Sequence, residues 1–186
     1  MKALLTLAFT LALSVVSAAP APAPAVPSPA QIPFYLVTTS QSHRATSPSS
    51  LKNVSATSLF DPYYQPNYLL RLTGPGYLSL STFTLSNGTL HTTQSGPHGI
   101  GTFEYNSTAV VAGSDLQFAP APQRAGNLAL KKGYLLTVDG KEKGWTICAG
   151  QLGQAVVFAD AVQIEWQGAD ASCAATYLQA VSTAPY

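Results

Sequence analysis

From Ile32 to the C-terminus, no apolar stretch of this chain has the length and spacing of a helix. Short runs rich in Tyr, Val, Leu and Thr recur instead between Gly, Pro, Asn and Asp, the pattern of strands bounded by breakers. Strands are predicted over residues 32–38, 68–72, 77–86, 89–93, 101–105, 115–118, 134–138, 144–148, 155–159, 162–166 and 173–181. With no crossover helices to link parallel neighbours, the order is expected to be antiparallel. About ten short strands in one chain fit an all-β sandwich or barrel.

Turn chemistry sets part of the register. Asn87-Gly88 lies between apolar runs, the strongest short hairpin signal, and Asp139-Gly140 follows Tyr134-Leu135-Leu136-Thr137-Val138. Ahead of the first turn, Leu78 and Leu80 share one parity while Phe83 and Leu85 have the other. That phase slip predicts a β-bulge near Ser81 and Thr82. Gly76-Tyr77-Leu78 resembles Gly133-Tyr134-Leu135, but no third copy stands at a matching interval, so a threefold trefoil is not expected. The Ser- and Thr-rich stretch from Thr38 to Ser58 and the aromatic loop Phe60-Asp61-Pro62-Tyr63-Tyr64-Gln65-Pro66 are expected at the surface.

The N-terminus carries an address rather than structure. Met1 and Lys2 precede an apolar run, Ala3 to Val16, and the small residues Ser17-Ala18-Ala19, so residues 1–18 read as a secretory signal peptide. The run is too short to span a bilayer and no stop-transfer segment follows, so no membrane anchor is expected. Residues 19–30 alternate Pro with Ala and read as an extended spacer or a tail. Residues 31–186 are then one secreted β domain, extracellular or in a cell wall.

Export gives the cysteines their meaning. Cys148 and Cys173 are the two present, and an isolated pair in an oxidising route is most simply a disulfide. Once Lys2 leaves with the leader, eight basic residues face eight acidic ones. A near-neutral chain is a poor partner for nucleic acid or anionic lipid. Only 9% of residues are charged, so the surface must be built of hydroxyls and amides, which suits a glycan-rich setting. Three sequons occur, at Asn53, Asn87 and Asn106, and N-glycosylation is expected at one or more of them; at Asn87 the turn competes as an explanation.

A catalytic set is hard to find. Glu104 and Glu165 are the carboxylates most embedded in strand-like sequence, but alternation lets both face solvent. His43, His91 and His98 have no third metal ligand at a recognisable spacing. There is no G-x-S-x-G elbow, and Gly99-Ile100-Gly101 lacks a strand-to-helix setting, so neither acyl nor phosphoryl chemistry has a seat and no cofactor is expected. Lys131-Lys132 reads as an exposed pair. Tyr63, Tyr64 and Trp166 offer sugar-stacking rings if exposed and core plugs if not.

The C-terminal block reads Gly144-Trp145-Thr146-Ile147-Cys148, then Ala155-Val156-Val157-Phe158-Ala159, then Asp170-Ala171-Ser172-Cys173 before an apolar strand. Over residues 128–181 this arrangement resembles the secreted fungal cell wall proteins of the phialide type and related fungal surface antigens. The resemblance implies a wall-associated or secreted protein linked to conidiation, and it supplies no catalytic residues. Taken together, the expectation is a non-enzymatic secreted glycoprotein of a fungal wall or surface whose partners are wall polysaccharides or other wall components. A carbohydrate-binding module and a secreted effector or allergen are the alternatives.

Overall fold

The computed structural model describes residues 31–47, 51–57, 67–73, 80–95, 100–149, 162–167 and 171–186, and of residues 162–166 the backbone alone. The leader at 1–18, the spacer at 19–30 and the expected strand at 155–159 lie outside these residues.

The described chain is all-β. Its strands are β1 (Tyr35–Thr39), β2 (Lys52–Thr57), β3 (Tyr68–Thr73), β4 (Phe83–Ser86), β5 (Thr89–Ser95), β6 (Thr102–Ser107) and β7 (Gln117–Ala119). They continue with β8 (Leu128–Lys131), β9 (Leu135–Val138), β10 (Trp145–Ala149), β11 (Val162–Trp166), β12 (Ala174–Ala175) and β13 (Tyr177–Val181). Ten follow one antiparallel path, β4-β5-β6-β7-β3-β2-β1-β13-β9-β8. That path nearly closes into a barrel, because Phe34 exchanges backbone hydrogen bonds with Phe83 of β4, and Leu128 of β8 donates its amide to Gly88 O beyond the end of β4. A small sheet of β10, β11 and β12 joins it through β3. One edge of β3 is divided: Tyr68 and Leu69 pair with β7, and Arg71 pairs with Gln163 of β11.

The core follows from period-two alternation. Leu90 and Thr92 of β5 point inward while His91 between them stays partly exposed; in β6, Tyr105 turns in and Glu104 out. Phe34, Phe83 and Phe118 pack in series, with ring centroids 6.5 and 5.9 Å apart. Trp145 is fully buried, and its indole Nε1–H donates to Leu136 O at 3.0 Å, which ties the small sheet to β9. A buried indole with its one donor satisfied contributes its full apolar area at no polar cost.

Both turn expectations hold: Asn87 and Gly88 have φ of 48° and 73°, Asp139 and Gly140 49° and 75°, the paired positive values of a type I′ turn. A third turn of the same kind, Lys132-Gly133 at 54° and 76°, joins β8 to β9. Neither β8 nor β2 was expected. The stretch from 38 to 58 divides: residues 40–47 lie at the surface as expected, with Ala45 half-buried, whereas β2 runs beside β1 and β3 with Val54 and Ala56 in the core. A pair of hydroxyls ties β2 in: Ser81 N–H donates to Ser55 Oγ, and Ala56 N–H donates to Ser81 Oγ, both at 3.2 Å. The same bonds stand where the bulge was expected: residues 80–82 belong to no strand, Ser81 lies against β2, and β4 begins at Phe83.

Candidate functional site

The β4–β5 hairpin and β6 present one outward face carrying Ser86, His91, Glu104 and Asn106, because these positions share parity in the register Thr84↔His91, His91↔Asn106 and Thr93↔Glu104. Residues 121–126 cross over that face. Asn106 Nδ2 donates to Ala121 O, Thr89 Oγ1 donates to Arg124 O, and Gly126 N donates to Asn87 O. Between hairpin and crossing segment lies an open groove of about 390 Å³ lined by Ser86, Asn87, Thr89, His91, Gln123 and Ala125.

Hydrogen bonding places a hydrogen on His91 Nδ1. Asn106 turns its Nδ2 toward Ala121 O, so its Oδ1 faces the imidazole, 2.5 Å from Nδ1. Glu104 Oε1 lies 3.3 Å from the same nitrogen. Two acceptors there require Nδ1 to carry hydrogen, and in a neutral ring Nε2 is then bare. In that neutral ring Ser86 Oγ–H is the donor, with Oγ 2.7 Å from Nε2. The result is a serine hydroxyl polarised by an imidazole whose tautomer an amide oxygen holds, the order of groups found in nucleophilic relays. The remaining lining combines hydroxyl and amide groups with Ala125 and more apolar than polar surface, and it carries no charged side chain, which suits an uncharged ligand with both polar and apolar faces.

Sequence reading singled out His91 and Glu104 separately and missed their partners. Ser86 and Asn106 are distant from each other along the chain, and only strand register brings them to one ring. Glu104 lies on β6 and Glu165 on β11, two strands that do not pair with each other among the described residues, and of Glu165 and Trp166 the backbone alone is described. Tyr63, Tyr64 and His98 lie outside the described residues. Cys148 and Cys173 are joined, with Cα atoms 4.1 Å apart. The three sequons part company. Asn87 is exposed at its turn, whereas Asn53 and Asn106 are 4% and 6% exposed, so a glycan on either of those would have to displace packed protein.

Away from the groove, Arg71 is buried at 2% exposure and burial lowers its pKa to about 10, with Asp115 opposing the shift. Burial also raises Asp115, against the pull of Arg71. Each is the other's counter-charge in a region where desolvation outweighs attraction, so the pair reads as part of the barrel wall.

No family model matches the chain, and neither a curated protein nor a solved structure matches it.

Proposed function

We propose that this protein is a secreted glycoprotein of the fungal cell wall or surface, linked to conidiation, that acts by holding to wall polysaccharide rather than by turning over a substrate. The Cys148–Cys173 bridge within a sparsely charged β barrel carries this reading, since such bridges persist in oxidising compartments and residues 1–18 have the form of an export leader. The groove beside Asn87 adds support: its hydroxyl, amide and imidazole groups match the alternating donors and acceptors of neutral sugars. Cell fractionation tests the proposal. Recovery in purified walls is expected, and recovery solely as free protein in the culture fluid would count against it.

A second reading is favoured by one observation, the 2.7 Å bond from Ser86 to His91. In an esterase, Ser86 Oγ would attack the ester carbonyl, its proton passing to His91 Nε2 and then to the departing alkoxide. Water would reverse the sequence and free the acid. A fluorophosphonate probe decides: labelling that Ser86→Ala and His91→Ala both abolish would establish this reading, and an unlabelled wild-type protein would remove it.

A further inference from the structure

Although the chain is nearly neutral, its charges are unevenly placed. Residues 131–143 hold four of the eight cations that follow the leader, Lys131, Lys132, Lys141 and Lys143, against two of the eight acids. The rest of the chain carries four cations against six acids. The turn between β8 and β9 therefore stands out as a positive end on a faintly negative body.

At that end is a concavity of about 120 Å³ lined by Ser42, His43, Lys131, Lys132, Tyr134, Leu135 and Glu142. One wall is rigid. Gln179, with no exposed surface, donates from Nε2 to Gln41 O at 3.0 Å and to His43 O at 2.7 Å, and accepts from Ala45 N at 2.9 Å. Tyr134 Oη donates to Ser42 O at 3.3 Å. Four bonds thus fix a loop that would otherwise be free, which lowers the ordering cost of binding. On the other wall Lys131 is paired with Glu142, whose carboxyl is held below its usual range by that hydrogen bond first and by the charges of Lys132 and Lys143 as well. Lys132 makes no ion pair among the described residues and is exposed at the rim.

The backbone at Lys132 points the same way. With φ at 54° it occupies the left-handed region, where Asn, Asp or Gly fit readily and lysine does not; among the described residues the two other turns of this kind place Asn87 and Asp139 there, and Gln167 is the other long side chain at positive φ. An outlier kept against local preference is a reason to look for a role.

We propose that this concavity is a binding site for the carboxylate of an acidic extracellular polysaccharide, with Lys132 as the principal cation and Ser42 and Tyr134 facing the sugar hydroxyls. An excess of two positive charges is far too small a surface for a duplex, whereas one carboxylate on a hydroxyl-bearing ring matches the Lys132 ammonium, which no acid pairs among the described residues, beside the Ser42 and Tyr134 hydroxyls. The site rests on the proposed function only for its extracellular setting.

Binding of the full-length purified chain to polygalacturonate, with neutral dextran and a DNA duplex as comparison probes, tests the assignment. Polygalacturonate should bind at low salt and be released as salt rises through about 0.1 M, where screening reaches the separation of these groups. Lys132→Asn should weaken binding about tenfold while raising Tm by about 2–4 °C, because the turn gains a residue suited to it. That opposite movement separates a ligand role from a structural one. Lys131→Gln with Lys132→Gln should weaken binding further. No binding to polygalacturonate, equal binding to dextran, tighter binding to DNA, or unchanged affinity in both variants would each overturn the proposal. Wall fractionation fails or succeeds independently, because it does not depend on Lys132.

Discussion

Gly88 and Gly126 meet backbone to backbone: a Cβ built on either one lies far inside 3.0 Å of the other's carbonyl oxygen, a separation real side chains do not reach. Two amide bonds hold the approach, from Gly126 N to Asn87 O and from Leu128 N to Gly88 O, at 3.0 and 3.1 Å. This crossing is where the last strand of the barrel path comes back to the first hairpin, and it also forms one end of the groove. Neither segment can retreat without giving up those bonds.

Gly126→Ala should therefore destabilise the protein by about 2–4 kcal/mol, the range of a buried steric conflict. Gly133→Ala is the control, since Gly133 has φ of 76° but open space around it. It should cost only about 1 kcal/mol, the penalty for a left-handed alanine. Urea unfolding of the two variants distinguishes them. Equal losses would mean that backbone conformation, not the close approach, is what matters at these glycines.

How far the sequence discloses this arrangement depends on the range of the interaction. Asn87-Gly88 and Asp139-Gly140 act on their immediate neighbours and are readable as turns, and the strand at 162–166 has the bounds that its apolar run predicts. The disulfide is readable because an isolated pair of cysteines behind an expected export leader has little else to do. Lys132-Gly133 is not readable, since lysine is a poor residue for its turn. Nor is β2, where Asn53 and Ser55 break the apolar signal and are buried by partners far along the chain, such as Ser81. The groove is hidden for the same reason: His91, Asn106 and Ala121 meet through strand register and a crossing segment, and no local pattern encodes either.

The bridge between Cys148 and Cys173 closes a loop with a sequence separation of 25 and ties β10 to the segment entering β12. On chain entropy a loop of about this length is worth about 3.5 kcal/mol. Cys148→Ala with Cys173→Ala should lose roughly that amount in guanidinium unfolding, with the barrel still formed because Trp145 keeps its bond to Leu136 O. A variant that fails to fold at all would show that the small sheet is needed to nucleate the rest.

Glycosylation should be confined to Asn87 among the three sequons. Its side chain is exposed at the hairpin tip, whereas the Asn106 amide is engaged by His91 and Ala121 O and Asn53 is buried in β2. Protein from a eukaryotic host should drop in mass on treatment with an N-glycosidase. Asn87→Gln should abolish that drop, while Asn53→Gln and Asn106→Gln leave it intact. A drop that survives Asn87→Gln would place the glycan on a residue that this packing encloses.

Tyr105 gives the fold a dependence on alkaline pH. It is 1% exposed, and its phenol is pushed up from 10.0 to about 12 by burial first and by the neighbouring Tyr68. The two rings meet edge to face at 4.5 Å. Below pH 10 the phenol is protonated in both folded and unfolded chains, so its contribution is intact. Between about 10 and 12 the unfolded chain releases the proton while the folded one keeps it, and stability falls as pH rises. Tyr105→Phe removes this slope, so the variant should gain stability relative to the wild type as the solution goes from about pH 8 toward about pH 11. Urea midpoints for both proteins across that interval measure it. Parallel profiles would show that the Tyr105 phenol ionises as readily inside the barrel as outside it, which its packing against Tyr68 does not allow.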